Sequence, residues 1–149
     1  YIGDCTYESR YVGYYQTLLT HHIPFDYRYV HPSTQTEEEG NRIMNDILKE
    51  EDPPTAIFCA NDCTALGVLR SLKKGRKKNY FPSVIAIDNI RKSAKTSPML
   101  TTIDIPKQEL AHFALLLLLD QQKKAHKECV RIELPCRLIE RDSCTYAPS

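Results

Sequence analysis

Residues 55–67 read Thr-Ala-Ile-Phe-Cys-Ala-Asn-Asp-Cys-Thr-Ala-Leu-Gly, an apolar run that passes directly into a helical pattern. The first six of these residues predict a buried strand, and the apolar spacing that follows predicts a helix over 62–74. The polar pair Asn61-Asp62 stands at the corner between the two elements. Strand ends and helix N-termini converge at such a corner of an open α/β sheet, and ligands bind there. The stretch therefore predicts an α/β fold with a ligand site at the strand ends.

The same arrangement recurs at two other places in the chain. Residues 1–4 predict a strand that leads into the helix carrying Arg10, and residues 83–87 predict a strand that ends at Asp88. Together with Asn61, the three strand ends offer a guanidinium, a carboxylate and an amide. These groups hydrogen-bond the hydroxyls of a polyol, so a sugar-type ligand is the leading interpretation of this edge.

Strands and helices alternate in the predicted pattern up to residue 88, as in the right-handed βαβ units of a parallel sheet. A capping box, with Thr36 as N-cap and Glu39 three residues later, opens the helix predicted over 36–50. The last third breaks the alternation, which suggests that the chain leaves the sheet and returns to it. The other predicted elements are helices over 6–22 and 106–122, a strand at 27–31, and extended stretches at 100–105, 129–134 and 137–141.

The composition bounds the chain to at most one ordinary domain: 149 residues, 42% of them hydrophobic. The net charge of +1 does not favour an acidic partner. The basic run Lys-Lys-Gly-Arg-Lys-Lys at 73–78 is interpreted as a solvated helix end and loop rather than a nucleic-acid patch. No apolar run approaches about 18 residues, so we expect no membrane span or membrane partner.

Neither a metal site nor catalytic chemistry is predicted. Cys59 and Cys63 are four positions apart, with no second Cys or His pair at zinc-ligand spacing. The six cysteines are interpreted as small buried thiols of a reduced cytosolic protein rather than a disulfide framework. A nucleophile elbow, a P-loop and a two-metal carboxylate cluster are all absent from the sequence. We therefore predict no catalytic residue and no cofactor, and expect that the chain is not an enzyme.

The sequence begins inside an apparent strand and shows no basic-then-apolar leader. We therefore expect residue 1 to be a fragment boundary within a longer protein.

Five pieces of the sequence occur together in one order and resemble a known family. Together they are similar to the effector-binding core of the LacI/GalR family of bacterial transcriptional regulators. The resemblance covers nearly the whole chain, but only the C-terminal part of that family's architecture. The pieces are residues 10–14, 54–67, 84–89, 98–103 and 134–143.

The resemblance implies a periplasmic-binding-protein-like fold of type I, in which two α/β lobes enclose a ligand cleft. Each lobe is a parallel sheet flanked by helices on both faces. The resemblance places residues 1–98 and 128–149 in the C-terminal lobe and residues 101–123 in a crossover segment of the other, incomplete lobe. The helix near 107–122 would then lack its usual packing partner. We expect it to fold back onto this lobe or to be buried against another chain.

The same resemblance places Arg10, Asn61 and Asp88 on positions that hydrogen-bond the effector. Asp62 is predicted to cap the following helix and to support Asn61. Two alternatives stay open: Asn61 as a helix cap alone, and Arg10 paired only with Glu8 or solvent.

The resemblance also implies a function. The parent protein would be a cytoplasmic repressor that binds a sugar or related small polar effector and couples cleft closure to DNA binding by a homodimer. DNA would be bound only through an N-terminal helix-turn-helix domain that this chain lacks. The alternative is a periplasmic or lipoprotein sugar-binding receptor of an ABC transporter, which shares the fold and the logic of the site.

Overall fold

The strands of the computed structural model form one sheet in two hydrogen-bonded parts. The structure describes residues 1–3, 8–75, 80–123 and 128–145. Asp4, Thr6 and residues 76–78 of the basic run lie outside these ranges. The described strands are β1 (Ile2–Gly3), β2 (His31–Pro32), β3 (Ala56–Phe58), β4 (Ser83–Ile87), β5 (Thr101–Asp104) and β6 (Arg137–Ile139).

The sheet is parallel except at one edge, as the alternation of elements predicts. β1 pairs with β2, and the second part has the order β3-β4-β5-β6. A parallel bridge between Ile2 and Cys59 connects the two parts. Only the β5–β6 pair is antiparallel among the described strands, because the chain leaves the sheet after β5 and returns in the opposite direction.

Four α-helices accompany the strands in the part of the chain that the structure describes. α2 begins where the capping box predicts, since the Thr36 side chain accepts a hydrogen bond from the Glu39 amide. The Glu39 carboxylate binds Arg42 and does not complete the box. The helices are α1 (Ser9–Thr20), α2 (Glu37–Ile47), α3 (Asp62–Lys74) and α4 (Lys107–Gln122).

The core lies between the sheet and the pair α2–α3. Strand residues such as Ile57 and Val84 bury their side chains against helix residues such as Met44 and Val68. Side chains alternate along a strand, so Phe58 lies on the opposite face. Its ring is 6.5 Å from that of Tyr14 on α1. Helices therefore lie on both faces of the sheet, which confirms the predicted fold class.

α1 covers its face more loosely than α2 and α3 cover theirs. None of its residues is fully buried. A cavity of about 540 Å³ is lined by Tyr14 and Leu18 of α1 and by Phe58 and Ile85 of the sheet. The tight packing in this lobe is thus concentrated on the α2–α3 side.

α2 and α3 approach closely because glycine faces the partner helix on each of them. A Cβ added at Gly40 would overlap the carbonyl of Thr64, and one added at Gly67 would overlap the carbonyl of Glu37. Both obstacles are backbone atoms, which cannot rotate away as a side chain can.

We expect Gly67→Ala to lower the free energy of unfolding by about 1–3 kcal/mol, because the two helices must separate to admit the methyl group. Gly13→Ala on α1 is the matched control, since nothing lies within 4 Å of its added Cβ. That control should raise the free energy of unfolding by about 0.5–1 kcal/mol, because glycine is a poor helix former. Urea denaturation of both variants checks the pair, and equal midpoints would contradict the close-packing account.

α4 does not fold back onto this lobe, so the first of the two packing alternatives expected for it was wrong. All of its residues are exposed or only half-buried, including the leucine run at 115–119. The leucine run at 115–119 is apolar nearly all round, so α4 has no single apolar face to pack against the sheet. Burial against another chain stays a prediction.

Two predicted strands were also wrong. Residues 27–31 form a 3₁₀ turn at Tyr27–Tyr29 followed only by the short strand β2. The reason is Asp26, whose carboxylate accepts hydrogen bonds from the Arg28 amide and guanidinium and so favours the turn. Residues 129–134 form no strand.

The cysteines match their prediction only in part. The five described cysteines are unpaired, but Cys59 alone is fully buried, and burial raises the pKa of its thiol to about 12. Cys63, Cys129 and Cys136 are exposed, contrary to the expectation of buried thiols. No helix in the described ranges is long and apolar enough to cross a membrane.

Candidate functional site

Arg10, Asn61 and Asp88 meet at one end of the sheet. β3 and β4 are parallel neighbours, so the residues that follow them lie close together. Arg10 reaches this edge from the first turn of α1, and its Nη1 donates to the Ala60 carbonyl at 2.5 Å. The positive charge of Arg10 also acts on the Asp88 carboxyl and lowers its pKa, against a larger opposing effect of burial.

Asp88 is the most exceptional of the three residues. Its backbone φ is 121°, a conformation that residues other than glycine rarely adopt. Burial, and then the nearby charge of Asp62, raise the pKa of Asp88, while Arg10 and Lys107 oppose the rise. No hydrogen bond or ion pair holds the Asp88 carboxylate within the part of the chain that the structure describes. A half-buried carboxylate without such a partner is unfavourable, and a bound ligand can supply the missing donors.

Arg10 makes the pair with Glu8 that was left open as an alternative. Its Nε binds the Glu8 carboxylate while Nη1 holds the Ala60 carbonyl. Burial raises the pKa of Glu8, but hydrogen bonds from Arg10 and Tyr1 outweigh this effect and leave it below its usual value. The pair fixes the guanidinium at the end of β3, so it positions Arg10 at the candidate site.

Asn61, and not Asp62, caps α3. The Asn61 Oδ1 accepts a hydrogen bond from the Thr64 amide at 2.8 Å, and its Nδ2 donates to the Gln35 carbonyl at 3.0 Å. The predicted cap role of Asp62 is therefore wrong. The physical reason is that Asn61 has the extended backbone of an N-cap, whereas Asp62 is already in the helix. Asn61 keeps a second amide N–H and a second lone pair that a ligand can use.

Asp62 instead joins three elements inside the lobe. Its carboxylate is fully buried. It accepts hydrogen bonds from the Ile90 amide at 2.9 Å, the Ser93 hydroxyl at 2.5 Å and the Thr102 hydroxyl at 2.5 Å. These bonds tie α3 to β5 and to the loop that follows Asp88. Sequence reasoning missed this role, although the two adjacent threonines in the extended stretch predicted at 100–105 were a usable signal.

The structure adds a second polar group beside Asp88 that the sequence analysis did not single out. Asn89 donates to Asp104 at 3.0 Å and accepts from Arg141 at 2.7 Å. The Lys107 ammonium at the start of α4 lies 3.6 Å from Asp104 and is near enough to affect the pKa of Asp88. These contacts depend on long-range strand pairing, which no local motif reveals.

The chemistry of this edge is hydrogen bonding. It offers a carboxylate, a guanidinium, an amide and a nearby ammonium, which suit a neutral polyhydroxyl ligand or a small polar ligand. The described residues include no group of three or more His, Cys, Asp or Glu side chains placed to hold a metal ion.

Comparison with known proteins places this geometry in a family. Residues 1–144 match the model of the periplasmic binding protein-like domain. The chain belongs to that family. The HTH-type transcriptional repressor CytR of Escherichia coli K12 is 38% identical over 137 residues, which are 91% of this chain and 40% of CytR.

Solved structures of LacI-type regulators are also similar to this chain. A putative LacI transcriptional regulator from Bacillus cereus superposes with a TM-score of 0.88 at 28% identity, over 97% of this chain and 53% of that one. A LacI family regulator from Enterococcus faecium with bound ribose superposes with a TM-score of 0.81 at 29% identity, over 95% and 54%. The resemblance to LacI-type regulators is confirmed, and the chain corresponds to their effector-binding portion.

The comparisons also bear on the alternative function. These relatives are named as repressors or regulators, and they give no support to the transporter-receptor alternative. The chain spans about 40% of the length of CytR and about half of the two solved chains.

Proposed function

We propose that this chain is the C-terminal share of the ligand sensor of a LacI-type repressor. It binds a sugar or related small polar effector through Asp88, Arg10 and Asn61, and it performs no catalysis. The proposal rests chiefly on the half-buried Asp88 carboxylate, which has no hydrogen-bond or ion-pair partner among the described residues and lies near the positive charge of Arg10. The bound ribose of the Enterococcus faecium regulator supports a sugar-type ligand.

The ligand completes the polar pairing of the site. Two sugar hydroxyls can donate to Asp88, while Arg10 and the second amide proton of Asn61 donate to sugar oxygens. An analogue that lacks a matching hydroxyl leaves one of these groups unpaired, and such a site rejects it strongly. We therefore expect the site to select ligands with one particular arrangement of hydroxyl groups rather than to bind polyols in general.

The architecture of the family supplies the rest of the mechanism. The C-terminal lobe comprises residues 1–98 and 128–149 together with β5, which pairs with β4 in the same sheet. The rest of the crossover segment, up to residue 123, crosses to a second lobe that most of the parent chain builds. The exposed leucines of α4 and the antiparallel pairing of β5 with β6 support this division. Ligand contacts from both lobes favour a closed cleft, which changes how a cytoplasmic homodimer binds DNA through helix-turn-helix domains outside this chain.

A thermal-shift screen of the complete protein against sugars, sugar phosphates and nucleobases tests the proposal. At least one compound, added at about 100 times its dissociation constant, should stabilise the protein by about 2.7 kcal/mol and raise its melting temperature. The same compound at the same concentration should stabilise the Asp88→Ala variant by no more than about 0.4 kcal/mol. A panel in which no compound shifts the wild-type protein would contradict the proposal.

The affinity for this effector should also depend on pH. Burial raises the pKa of Asp88 above the usual value of 3.8, and the ionised carboxylate is the form that accepts two hydroxyl hydrogen bonds. Acidification therefore protonates Asp88 at a higher pH than an ordinary aspartate, and affinity should fall about tenfold per pH unit below the raised pKa. Protonation of Asp88 removes a charge that burial disfavours, so protonation of this group should not destabilise the fold.

Calorimetric titrations across pH 4 to 8 give the profile. Asp88→Asn is the matched control, since it keeps the shape and cannot titrate, and its weaker binding should be independent of pH. A flat profile in the wild-type protein would show that Asp88 does not contact the effector in its ionised form.

A further inference from the structure

Asn89 and its neighbours form an unusually constrained loop next to the candidate site. Asp88 and Asn89 have φ values of 121° and 49°, so two successive residues other than glycine adopt positive φ. Such conformations persist only where surrounding contacts impose them. The contacts that impose this one come from three different parts of the lobe.

The backbone of the loop is fixed to β5 and to α3. The Asp88 amide donates to the Ile103 carbonyl at 2.9 Å, and the Asn89 amide donates to the Thr102 hydroxyl at 3.3 Å. The next amide, that of Ile90, donates to the buried Asp62 carboxylate at 2.9 Å. Three consecutive N–H groups are therefore held, and the loop cannot shift without moving these partners.

The Asn89 side chain spans the two strands through which the chain leaves the sheet and returns. Its Nδ2 donates to Asp104, the last residue of β5, and its Oδ1 accepts from Arg141, two residues after β6. Arg141 is itself fixed to the start of β5, because its amide donates to the Thr101 hydroxyl at 2.9 Å and its Nη1 donates to the carbonyl of the preceding Leu100 at 2.8 Å. One amide group thus connects the residue beside Asp88 to both connecting strands.

The Asn89 amide also stabilises the ionised form of the Asp104 carboxyl group. The hydrogen bond from Asn89 is the main reason that the pKa of Asp104 lies below its usual value, and Lys107 and Arg137 add to the effect. Lys107 opens α4, so the bridge lies directly against the start of the crossover helix.

We propose that Asn89 is a positioning residue that transmits ligand contact at Asp88 to both connecting strands, β5 and β6. This inference rests on the proposed function, because it concerns how ligand binding at the same site affects the rest of the structure. A ligand that draws Asp88 into its productive position also sets the adjacent Asn89, and the amide carries that adjustment to Asp104 and Arg141. Coupling then requires the side chain of Asn89 and not only its backbone conformation.

Two substitutions separate side-chain bridging from turn formation. Asn89→Gly accepts the positive φ more readily than asparagine but removes both side-chain hydrogen bonds. Asn89→Asp keeps the size and the bond from Arg141, but it replaces the donor to Asp104 with a second carboxylate. The exchange N89D/D104N restores one hydrogen bond with donor and acceptor reversed, and Asp104→Asn alone is the matched control for the loss of charge.

The test is hydrogen exchange of the complete protein with and without a named sugar. The probe is whichever of D-ribose, sucrose and cellobiose gives the largest thermal shift of the wild-type protein. In the wild type, the sugar should slow amide exchange at residues 101–105 and 137–141 by about fivefold or more. In N89G and N89D, calorimetry should show sugar affinity within about threefold of wild type, while the slowing at the two strands falls below about twofold.

The remaining outcomes decide between this inference and the proposed function. N89D/D104N should restore the sugar-dependent protection to near the wild-type level, and D104N alone should keep it. Full protection of 101–105 and 137–141 in N89G and N89D, with wild-type binding, would overturn the role of Asn89 and leave the proposed function intact. A wild-type protein that binds none of the three sugars would overturn this inference together with the sugar-type assignment on which it rests.

Discussion

Asp62→Ala should lower the free energy of unfolding by about 3–5 kcal/mol, because several buried donors lose their acceptor together. The lost partners are the Thr102 and Ser93 hydroxyls and the Ile90 amide. Each unsatisfied buried donor costs about 1–3 kcal/mol, and water cannot readily reach a carboxylate site that is 0% exposed. Urea denaturation followed by circular dichroism measures the loss.

Two further variants make this result specific to the buried network. Asp120→Ala removes an exposed aspartate on α4 and should change the free energy of unfolding by less than about 0.5 kcal/mol. Asp62→Asn keeps the shape and one carbonyl oxygen, so its loss should be intermediate. Similar denaturation midpoints for Asp62→Ala and Asp120→Ala would show that the carboxylate does not organise the lobe.

Asp88→Ala should weaken effector binding by at least about 100-fold, because it removes an acceptor of two hydrogen bonds worth about 1.5–3 kcal/mol each. The same variant should be at least as stable as the wild type, since the substitution removes a half-buried carboxylate that burial disfavours. Loss of function with unchanged or increased stability is the mark of a binding residue. Calorimetry and thermal unfolding of the complete protein measure the two effects.

DNA binding gives the second part of this prediction. In the complete protein, Asp88→Ala should keep its affinity for operator DNA and lose the response to effector, because Asp88 is placed to contact only the small molecule. Asp120→Ala should keep both properties. An unchanged effector response in Asp88→Ala would remove Asp88 from the site.

The tightly packed half of the fold was predictable because its signals are local and strong. β3, β4, α2 and α3 follow from continuous apolar runs, a capping box and helical spacing, and their bounds agree with the sequence to within a few residues. The strand predicted at 27–31 failed because one side chain, Asp26, stabilises a competing turn. The alternation of apolar and polar residues predicts a strand, but it contains no information about a local hydrogen bond that stabilises a turn instead.

The candidate site was predictable in its location and less so in its details. Arg10, Asn61 and Asp88 each follow from a position at a strand or helix end, and the structure brings them to one edge. The cap role predicted for Asp62 belongs to Asn61, because adjacent polar residues at a helix start compete for the cap and the backbone conformation decides between them. The bridge through Asn89 depends on the register of β5 with β6, which joins residues far apart in sequence.

A crystal structure of the complete protein with the compound that gives the largest thermal shift would show whether Asp88 and Arg10 hold the effector. We expect ligand hydroxyls about 3 Å from the Asp88 carboxylate oxygens and ligand oxygens at the same distance from the Arg10 guanidinium. The opposite side of the ligand should contact a second lobe. A ligand bound elsewhere in the lobe, with the Asp88 carboxylate still unpartnered, would contradict this expectation.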